Sequence, residues 1–133
     1  MSSASKLREV IARLGIRSTR RRGECLFPSG KTPTGVYLIV SGRVAVLLER
    51  GERAVSQVVG PGTLVGLPAI ITGRWFSITA EALDDAEVIF VERQVLLGTL
   101  SRDDDLSIQA LNDLGRQFEQ VRRALQTAKH AVN

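Results

Sequence analysis

Apolar residues follow a helical period at both ends of this chain and a strand-like pattern in the middle. Near the N-terminus they recur at the spacing of one helix face, as Leu7, Val10, Ile11 and Leu14. Gly15 ends this pattern, and Ser5 is suited to cap its start. We therefore predict a helix from Ser5 to Leu14, followed by a basic connector that runs to Arg22.

The middle of the chain, from Gly23 to Val91, consists of short apolar runs separated by glycine, proline and acidic turns. The pattern predicts strands at 25–27, 36–40, 43–48, 54–59, 76–82 and 86–91. Strands this short do not cover their own apolar faces, so we expect them to roll into a closed or two-sheet β body.

A helical period returns after Val91. Residues 92–100 predict a short helix, and Asp103 to Asp105 suit the positive N-terminal end of a long one. Apolar residues then alternate at spacings of three and four, as Leu111, Leu114, Phe118, Val121, Leu125, Ala128 and Val132. This a/d repeat predicts a homodimer interface of coiled-coil type, and the alternative is a helix packed on its own β body.

Length and composition indicate one intracellular domain. The chain has 133 residues and a formal net charge of +4. We treat residues 1–133 as a single unit, with 1–22 as helix and connector, 23–91 as the β roll and 92–133 as the two later helices. Cys25 is the single cysteine and we expect it to be a buried structural thiol. The absence of cysteine pairs, a secretory segment or a membrane span favours the cytoplasm.

Catalytic and metal chemistry find no support in the residue pattern. His130 is the one histidine, and a metal site needs several converging ligands. Ser77 has no histidine partner at a plausible spacing, and the glycines match neither the dinucleotide nor the phosphate-loop spacing. We therefore expect no enzyme activity, no metal and no cofactor.

The basic residues before the β region are a candidate for phosphate contacts. They are Arg17, Arg20, Arg21 and Arg22. No aromatic residues alternate with them to provide a stacking surface for bases. A solvated face or a dimer contact is the favoured interpretation, and non-specific nucleic-acid binding stays open as an alternative.

The order of parts resembles the cyclic-nucleotide-binding domain of the catabolite activator (Crp/Fnr) superfamily. The residues that carry the resemblance are the glycine-cornered runs Gly23–Gly30, Gly35–Val46 and Gly60–Gly66, together with Ala82–Val88. The resemblance implies a mainly β fold, a double-stranded β-helix or jelly roll, followed by a long C-terminal dimerisation helix. It also implies a regulatory, ligand-sensing role.

The chain departs from the family at the phosphate cassette. Family members open this segment with Gly-Glu, whose carboxylate accepts from the ribose hydroxyl, and close it with Arg-Ser or Arg-Thr, whose arginine neutralises the cyclic phosphate. Here the opening reads Gly66-Leu67-Pro68-Ala69 and the closing pair aligns with Phe76-Ser77. Loss of one partner of a buried ion pair costs about 3–5 kcal/mol, so we expect weak or no binding of cyclic AMP or cyclic GMP.

Two further positions bear on the pocket. Arg74 lies two residues before Phe76 and is the one nearby candidate to replace the missing arginine. The family's adenine-contacting hydroxyl pair aligns with Val121 and Arg122, so that contact is lost as well. The candidate pocket thus comprises Gly66, Leu67, Pro68, Ala69, Arg74, Trp75, Phe76, Ser77, Val121 and Arg122. Such a lining suits an apolar or aromatic effector, or the side chains fill the space themselves.

The family's helix-turn-helix module would follow the dimer helix, and this sequence ends at Asn133. The resemblance therefore predicts a homodimeric regulatory domain with a degenerate cassette and no DNA-binding domain of its own. The alternatives are a ligand-free interaction module, acting through homo- or heterodimers, and nucleic-acid binding through the arginines before the roll.

Overall fold

The computed structural model describes residues 3–27, 34–50, 53–67, 70 and 78–132. Within these residues the helices are α1 (Ser3–Leu14), α2 (Arg93–Ser101) and α3 (Asp104–Val132). The strands are β1 (Ile16–Arg20), β2 (Cys25–Phe27), β3 (Gly35–Ser41), β4 (Val44–Arg50), β5 (Arg53–Val59), β6 (Leu64–Val65), β7 (Ile78–Ala82) and β8 (Ala86–Glu92).

The strands form two antiparallel sheets of four strands each. One has the order β1-β8-β3-β6 and the other β2-β7-β4-β5. Successive strands alternate between the sheets over much of the chain, which is the topology of a jelly roll. The predicted fold class is therefore confirmed, including the long C-terminal helix.

The sheet β1-β8-β3-β6 separates two apolar cores, because its strands alternate their side chains between two faces. On one face Val36, Leu38 and Ile89 pack against all three helices. On the other face Tyr37, Ile39 and Val88 point into the space between the sheets. We call the first the helix-layer core and the second the roll interior.

The turn between β3 and β4 depends on a glycine. Gly42 has a φ of +87°, which favours glycine because a side chain is strained there. A Cβ at this position would also lie 2.7 Å from the carbonyl oxygen of Asp85. The predicted turn at Ser41-Gly42 therefore has a steric reason as well as a conformational one.

Several sequence predictions were wrong at the level of single elements. α1 begins at Ser3, so Ser5 lies inside the helix and is not its cap. The predicted connector contains β1, which pairs along its whole length with β8, so the roll begins at Ile16. Its alternating arginine, serine and threonine residues resemble a linker because one face of this edge strand is solvated.

Two smaller predictions also failed. The sequence pattern missed β6, which is a strand of only two residues between Gly62 and Gly66. Cys25 lies on a strand as expected, but its thiol is exposed and Leu26 is the buried residue of β2. The sequence prediction therefore placed Cys25 on the buried face of β2, and this face belongs to Leu26. The β2–β7 pairing shifts register between Cys25 and Phe27.

Candidate ligand site and helix interface

The predicted cassette begins directly after β6. Gly66 follows it with a φ of +99°, a left-handed conformation that permits the chain to leave the sheet sharply. The Ile70 amide then donates to the Gly66 carbonyl oxygen at 3.2 Å, which is the bond of a helical turn. The start of the segment is thus a strand, a glycine corner and a helical turn.

Leu67, which is predicted from the sequence to align with the family's ribose-binding carboxylate, has a side chain that is 1% exposed. Together with Ile70 it belongs to the helix-layer core, where it packs with residues from α1 and α3. An apolar side chain at this position therefore contributes to the framework of the domain. Whether it also borders a ligand stays a prediction.

Most of the other predicted pocket residues lie outside the part of the chain that the structure describes. Those outside the described residues are Pro68, Ala69, Arg74, Trp75, Phe76 and Ser77. Val121 lies on α3, but its side chain is outside the description. The structure consequently tests neither the arrangement of these side chains nor the replacement of the missing arginine by Arg74.

Arg122 is exposed on α3 and forms an ion pair with Glu119, one helical turn earlier, at 2.6 Å. The hydrogen bonds from the Arg122 guanidinium, followed by its charge, hold the pKa of the Glu119 carboxyl below its ordinary value. Arg123 donates to the same carboxylate at 3.2 Å. In this chain the aligned adenine-contact position thus carries a solvated arginine engaged on its own helix.

One face of α3 packs against the rest of the domain. Leu106 and Ala110 enter the helix-layer core, and Leu114 is half-buried against it. The N-terminus of the helix is capped as predicted, because Asp103 Oδ1 accepts from the Leu106 amide at 3.2 Å. Lys6 on α1 pairs with the same carboxylate at 3.2 Å.

Beyond Ala110 the body-facing side of α3 becomes polar. Asp113 is 5% exposed, and its carboxylate accepts from Arg8 Nη2 of α1 at 3.0 Å and also pairs with Arg116. Arg8 Nε donates to the Gly62 carbonyl oxygen at 2.7 Å. A buried carboxylate needs such partners, and here they join α1, α3 and the turn before β6.

Two further hydrogen bonds join α3 to the strands, and each is donated by a glutamine side chain. Gln117 Nε2 donates to the Leu64 carbonyl oxygen at 3.0 Å, two residues before Gly66. Gln57 of β5 donates to the Gln120 carbonyl oxygen at 3.4 Å. An open groove of about 410 Å³ runs between this part of α3 and the turn at residues 60–63. These hydrogen bonds attach α3 to β5 and to β6, and β6 is the strand that precedes the predicted cassette.

The opposite side of α3 carries exposed apolar residues. Leu111 is 59% exposed, and Ile108 and Phe118 on the same face are also exposed. Gly115 lies between them with open space where a Cβ would project. Of the predicted interface residues, Leu111 and Phe118 are thus exposed, whereas Leu114 faces the chain's own core. The side chains of Val121, Leu125, Ala128 and Val132 fall outside the description.

Sequence reasoning missed the residues that tie α3 to the roll. Arg8 and Asp113 are 105 positions apart, and Gln117 and Leu64 are 53 apart. A single sequence contains no signal for such pairs. The nearest hint is a carboxylate and an amide on the helix face that also carries Leu106 and Ala110.

Neither a metal site nor a membrane-spanning helix is found among the residues that the structure describes. Among those residues no cluster of three or more histidine, cysteine or acidic side chains is placed to hold a metal. No helix there is long and apolar enough to cross a membrane.

A jelly roll with a helix layer on one sheet and a glycine corner opening its cassette defines a class of ligand-sensing regulatory domains. The family model described as "Cyclic nucleotide-binding domain" matches residues 18–103. The chain belongs to this family, as the resemblance implied.

Individual relatives agree with this assignment. The chain is 29% identical over 101 residues to the nitrogen fixation regulation protein FixK of Azorhizobium caulinodans, and the match covers 74% of this chain and 40% of that protein. The catabolite activator protein of Thermus thermophilus shares the fold with a TM-score of 0.76 and 20% identity, covering 96% of this chain and 63% of that one.

A second solved structure is similar to the same extent. The regulator CLP of Xanthomonas campestris, described as c-di-GMP responsive, has a TM-score of 0.72 at 19% identity, with the same coverage of 96% and 63%. The chain therefore spans two fifths of the FixK relative and less than two thirds of these two structural relatives. These structural likenesses establish the fold, and the ligand of this chain is a separate question.

Proposed function

We propose that this domain is a dimeric regulatory module that transmits a signal through the packing of α3 on the roll. The observation that carries the proposal is the contrast between the two sides of this helix. On one side Gln117 donates to the Leu64 carbonyl oxygen, and Asp113 pairs with Arg8 of α1, whose Nε donates to the Gly62 carbonyl oxygen. The other side presents the exposed Ile108 and Leu111. A change at the cassette would therefore move the helix that a second copy contacts.

The proposed occupant of the stripe is a second copy of the chain. The a/d repeat continues beyond the exposed Leu111 and Phe118 for two further heptads. Such a repeat matches an identical parallel helix about a two-fold axis, because each a or d position then meets its own counterpart.

We further propose that the cassette no longer binds cyclic AMP or cyclic GMP with useful affinity. The support is that Leu67 stands where the family has a carboxylate and is committed to the helix-layer core. In the sequence, Phe76 aligns with the phosphate-binding arginine. A cyclic phosphate bound at the cassette would then lose hydration without gaining an arginine partner from this segment.

Isothermal titration of cyclic AMP into the wild-type protein and the Arg74→Ala variant tests this proposal. We expect no saturable binding in the micromolar range for either protein. Micromolar binding by the wild type that disappears in Arg74→Ala would contradict the proposal, since Arg74 would then supply the missing cation. Tight binding in both proteins would contradict it equally.

A ligand-free interaction module is the second candidate, favoured by the exposed Ile108 and Leu111. In that case the same stripe pairs with a full-length family member, and no small molecule changes the affinity. Mixing the domain with such a relative and measuring heterodimer formation tests it, and absence of any mixed species would end this candidate.

Nucleic-acid binding through Arg17, Arg20, Arg21 and Arg22 has weaker support. Arg17 is paired with Glu87, and Arg20 lies on the strand face that points into the roll. Neither is placed to follow a phosphate backbone. Duplex DNA binding with a steep salt dependence would nevertheless establish this function.

A further inference from the structure

Arg20 is a cation on the inner side of the roll. In β1, Ser18 pairs with Val88 and Arg20 with Ala86. Directly opposed residues of antiparallel strands share a face, and Val88 belongs to the roll interior. Ser18 and Arg20 therefore face inward. Arg17, on the other face, forms an exposed ion pair with Glu87.

The Arg20 guanidinium has few partners. Its Nη1 donates to the Ser18 hydroxyl at 2.9 Å, and its Cζ lies 5.9 Å from the centre of the Tyr37 ring. In the described ranges no carboxylate is paired with it. A guanidinium has five N–H donors, so a half-buried arginine with one hydroxyl and one ring retains donors for an anion.

The surface beside Arg20 is apolar and partly open. Ile16 lies on the same inner face of β1 and is 73% exposed. Its strand neighbour Phe90 is half-buried and packs against Tyr37 with ring centres 5.0 Å apart. An aromatic surface next to a cation is the combination that binds an aromatic acid, with the ring on the apolar side chains and the charge on the guanidinium.

We propose that Arg20, together with the Ser18 hydroxyl, binds the carboxylate of an aromatic monocarboxylic acid whose ring lies against Ile16 and Phe90. This inference rests on the proposed function, since it names the chemical class of effector for the roll. One guanidinium neutralises one negative charge, and its planar fork matches the two oxygens of a carboxylate. A phosphate monoester, with close to two charges, would keep one of them unpaired.

Phenylacetate and its uncharged analogue phenylacetamide are suitable probes, because they differ at the acid group and share the ring. Binding to the full chain is measured by heteronuclear NMR titration, in which arginine Nε–Hε signals report on the guanidinium directly. Probes of this size bind in the millimolar range, where dissociation constants are still measurable by NMR. We expect the acid to bind at least about tenfold more tightly than the amide, a difference of about 1.4 kcal/mol.

The variant Arg20→Gln should abolish this preference, and Arg17→Gln should preserve it, because Arg17 carries the same charge on the opposite face. If Arg20→Gln does not fold, Arg20→Lys keeps the charge without the fork and should retain only part of the preference. Equal binding of acid and amide, no binding of either to the wild type, or a preference that survives Arg20→Gln would overturn the anion subsite. The cyclic AMP titration and the dimer measurements decide the proposed function separately.

Discussion

The two sides of α3 reverse the usual arrangement of a surface helix. Toward its own domain the helix begins apolar with Leu106 and Ala110 and then becomes polar, with the buried Asp113 and the hydrogen-bonded Gln117. Toward the outside it presents Ile108, Leu111 and Phe118. A helix that served only to cover the roll would have its apolar stripe inside.

This contrast indicates that the two sides have different tasks. Polar contacts are directional, so the hydrogen bond from Gln117 to Leu64, together with the ion pair of Asp113 with Arg8 and the bond from Arg8 to Gly62, fixes where the helix lies relative to β6. Apolar contacts are less directional, and a second helix can slide or rotate on them. In the proposed function the inner side fixes the position of the helix, and the outer side repacks against the second copy when that position changes.

The largest expected effect concerns the core beneath the inner side. Leu67→Glu introduces the carboxylate that the family resemblance predicts at this position, but it places an unpaired charge in a site that is 1% exposed. We expect a loss of several kcal/mol in the free energy of unfolding, and hence partial unfolding at neutral pH. Urea denaturation followed by circular dichroism measures it.

Leu67→Met is the matched control, since a volume-conserving change costs less than about 1.5 kcal/mol. If Leu67→Glu were as stable as the wild type and bound cyclic AMP, Leu67 would belong to an adaptable pocket and not to the core under α3.

The outer side is tested by Phe118→Asp. A charge at the centre of the apolar stripe should raise the dimer dissociation constant at least about 100-fold, or about 2.7 kcal/mol, because the facing copy would bury it. Sedimentation equilibrium measures this constant. Gln120→Asp adds the same charge on the other side of the helix and should leave the dimer intact. Equal effects of the two changes would remove the distinction between the sides.

The polar contacts of the inner side are tested by Asp113→Ala. Removing this carboxylate breaks its ion pair with the Arg8 guanidinium, which is 28% exposed. We expect a loss of about 1–3 kcal/mol in the free energy of unfolding. Glu119→Ala breaks a solvated ion pair on the same helix and should change stability little. Equal losses in the free energy of unfolding would mean that the buried contacts of Asp113 contribute no more than a solvated ion pair.

The smallest effect is a pH dependence at the helix start. The Leu106 amide, followed by Lys6, holds the pKa of Asp103 below its ordinary value. A lowered folded pKa means that the stabilisation is complete above the ordinary aspartate pKa and is lost as pH falls through the lowered value. The Asp103→Ala variant lacks this contribution. Its melting temperature should therefore fall less steeply than that of the wild type as the pH is lowered from about 5. An unchanged profile would contradict the cap.

The sequence was sufficient for features that depend on neighbouring residues. The glycine corner at Gly42, the cap at Asp103 and the spacing of Leu111 and Phe118 are each determined within a few positions. These local patterns predicted a rolled β body and the long helix, and the family resemblance implied the jelly-roll topology.

Features that depend on distant partners were not predictable. β1 carries alternating polar residues and is recognisable as a strand only through its pairing with β8. Leu114 fits the a/d repeat but packs on the chain's own core, because a heptad pattern does not state which side faces the body. The inward position of Arg20 likewise follows from strand register, which a list of basic residues does not contain.

Oxidative cross-linking of Leu111→Cys, in a Cys25→Ser background, tests the two-sided account of α3 most directly. Residues at the centre of a two-fold helix interface approach within the 3.5–4.5 Å Cβ separation, approximately, that a disulfide requires. The account predicts a covalent dimer for Leu111→Cys and none for Gln120→Cys on the other side. A covalent dimer from Gln120→Cys, with Leu111→Cys remaining monomeric, would contradict it.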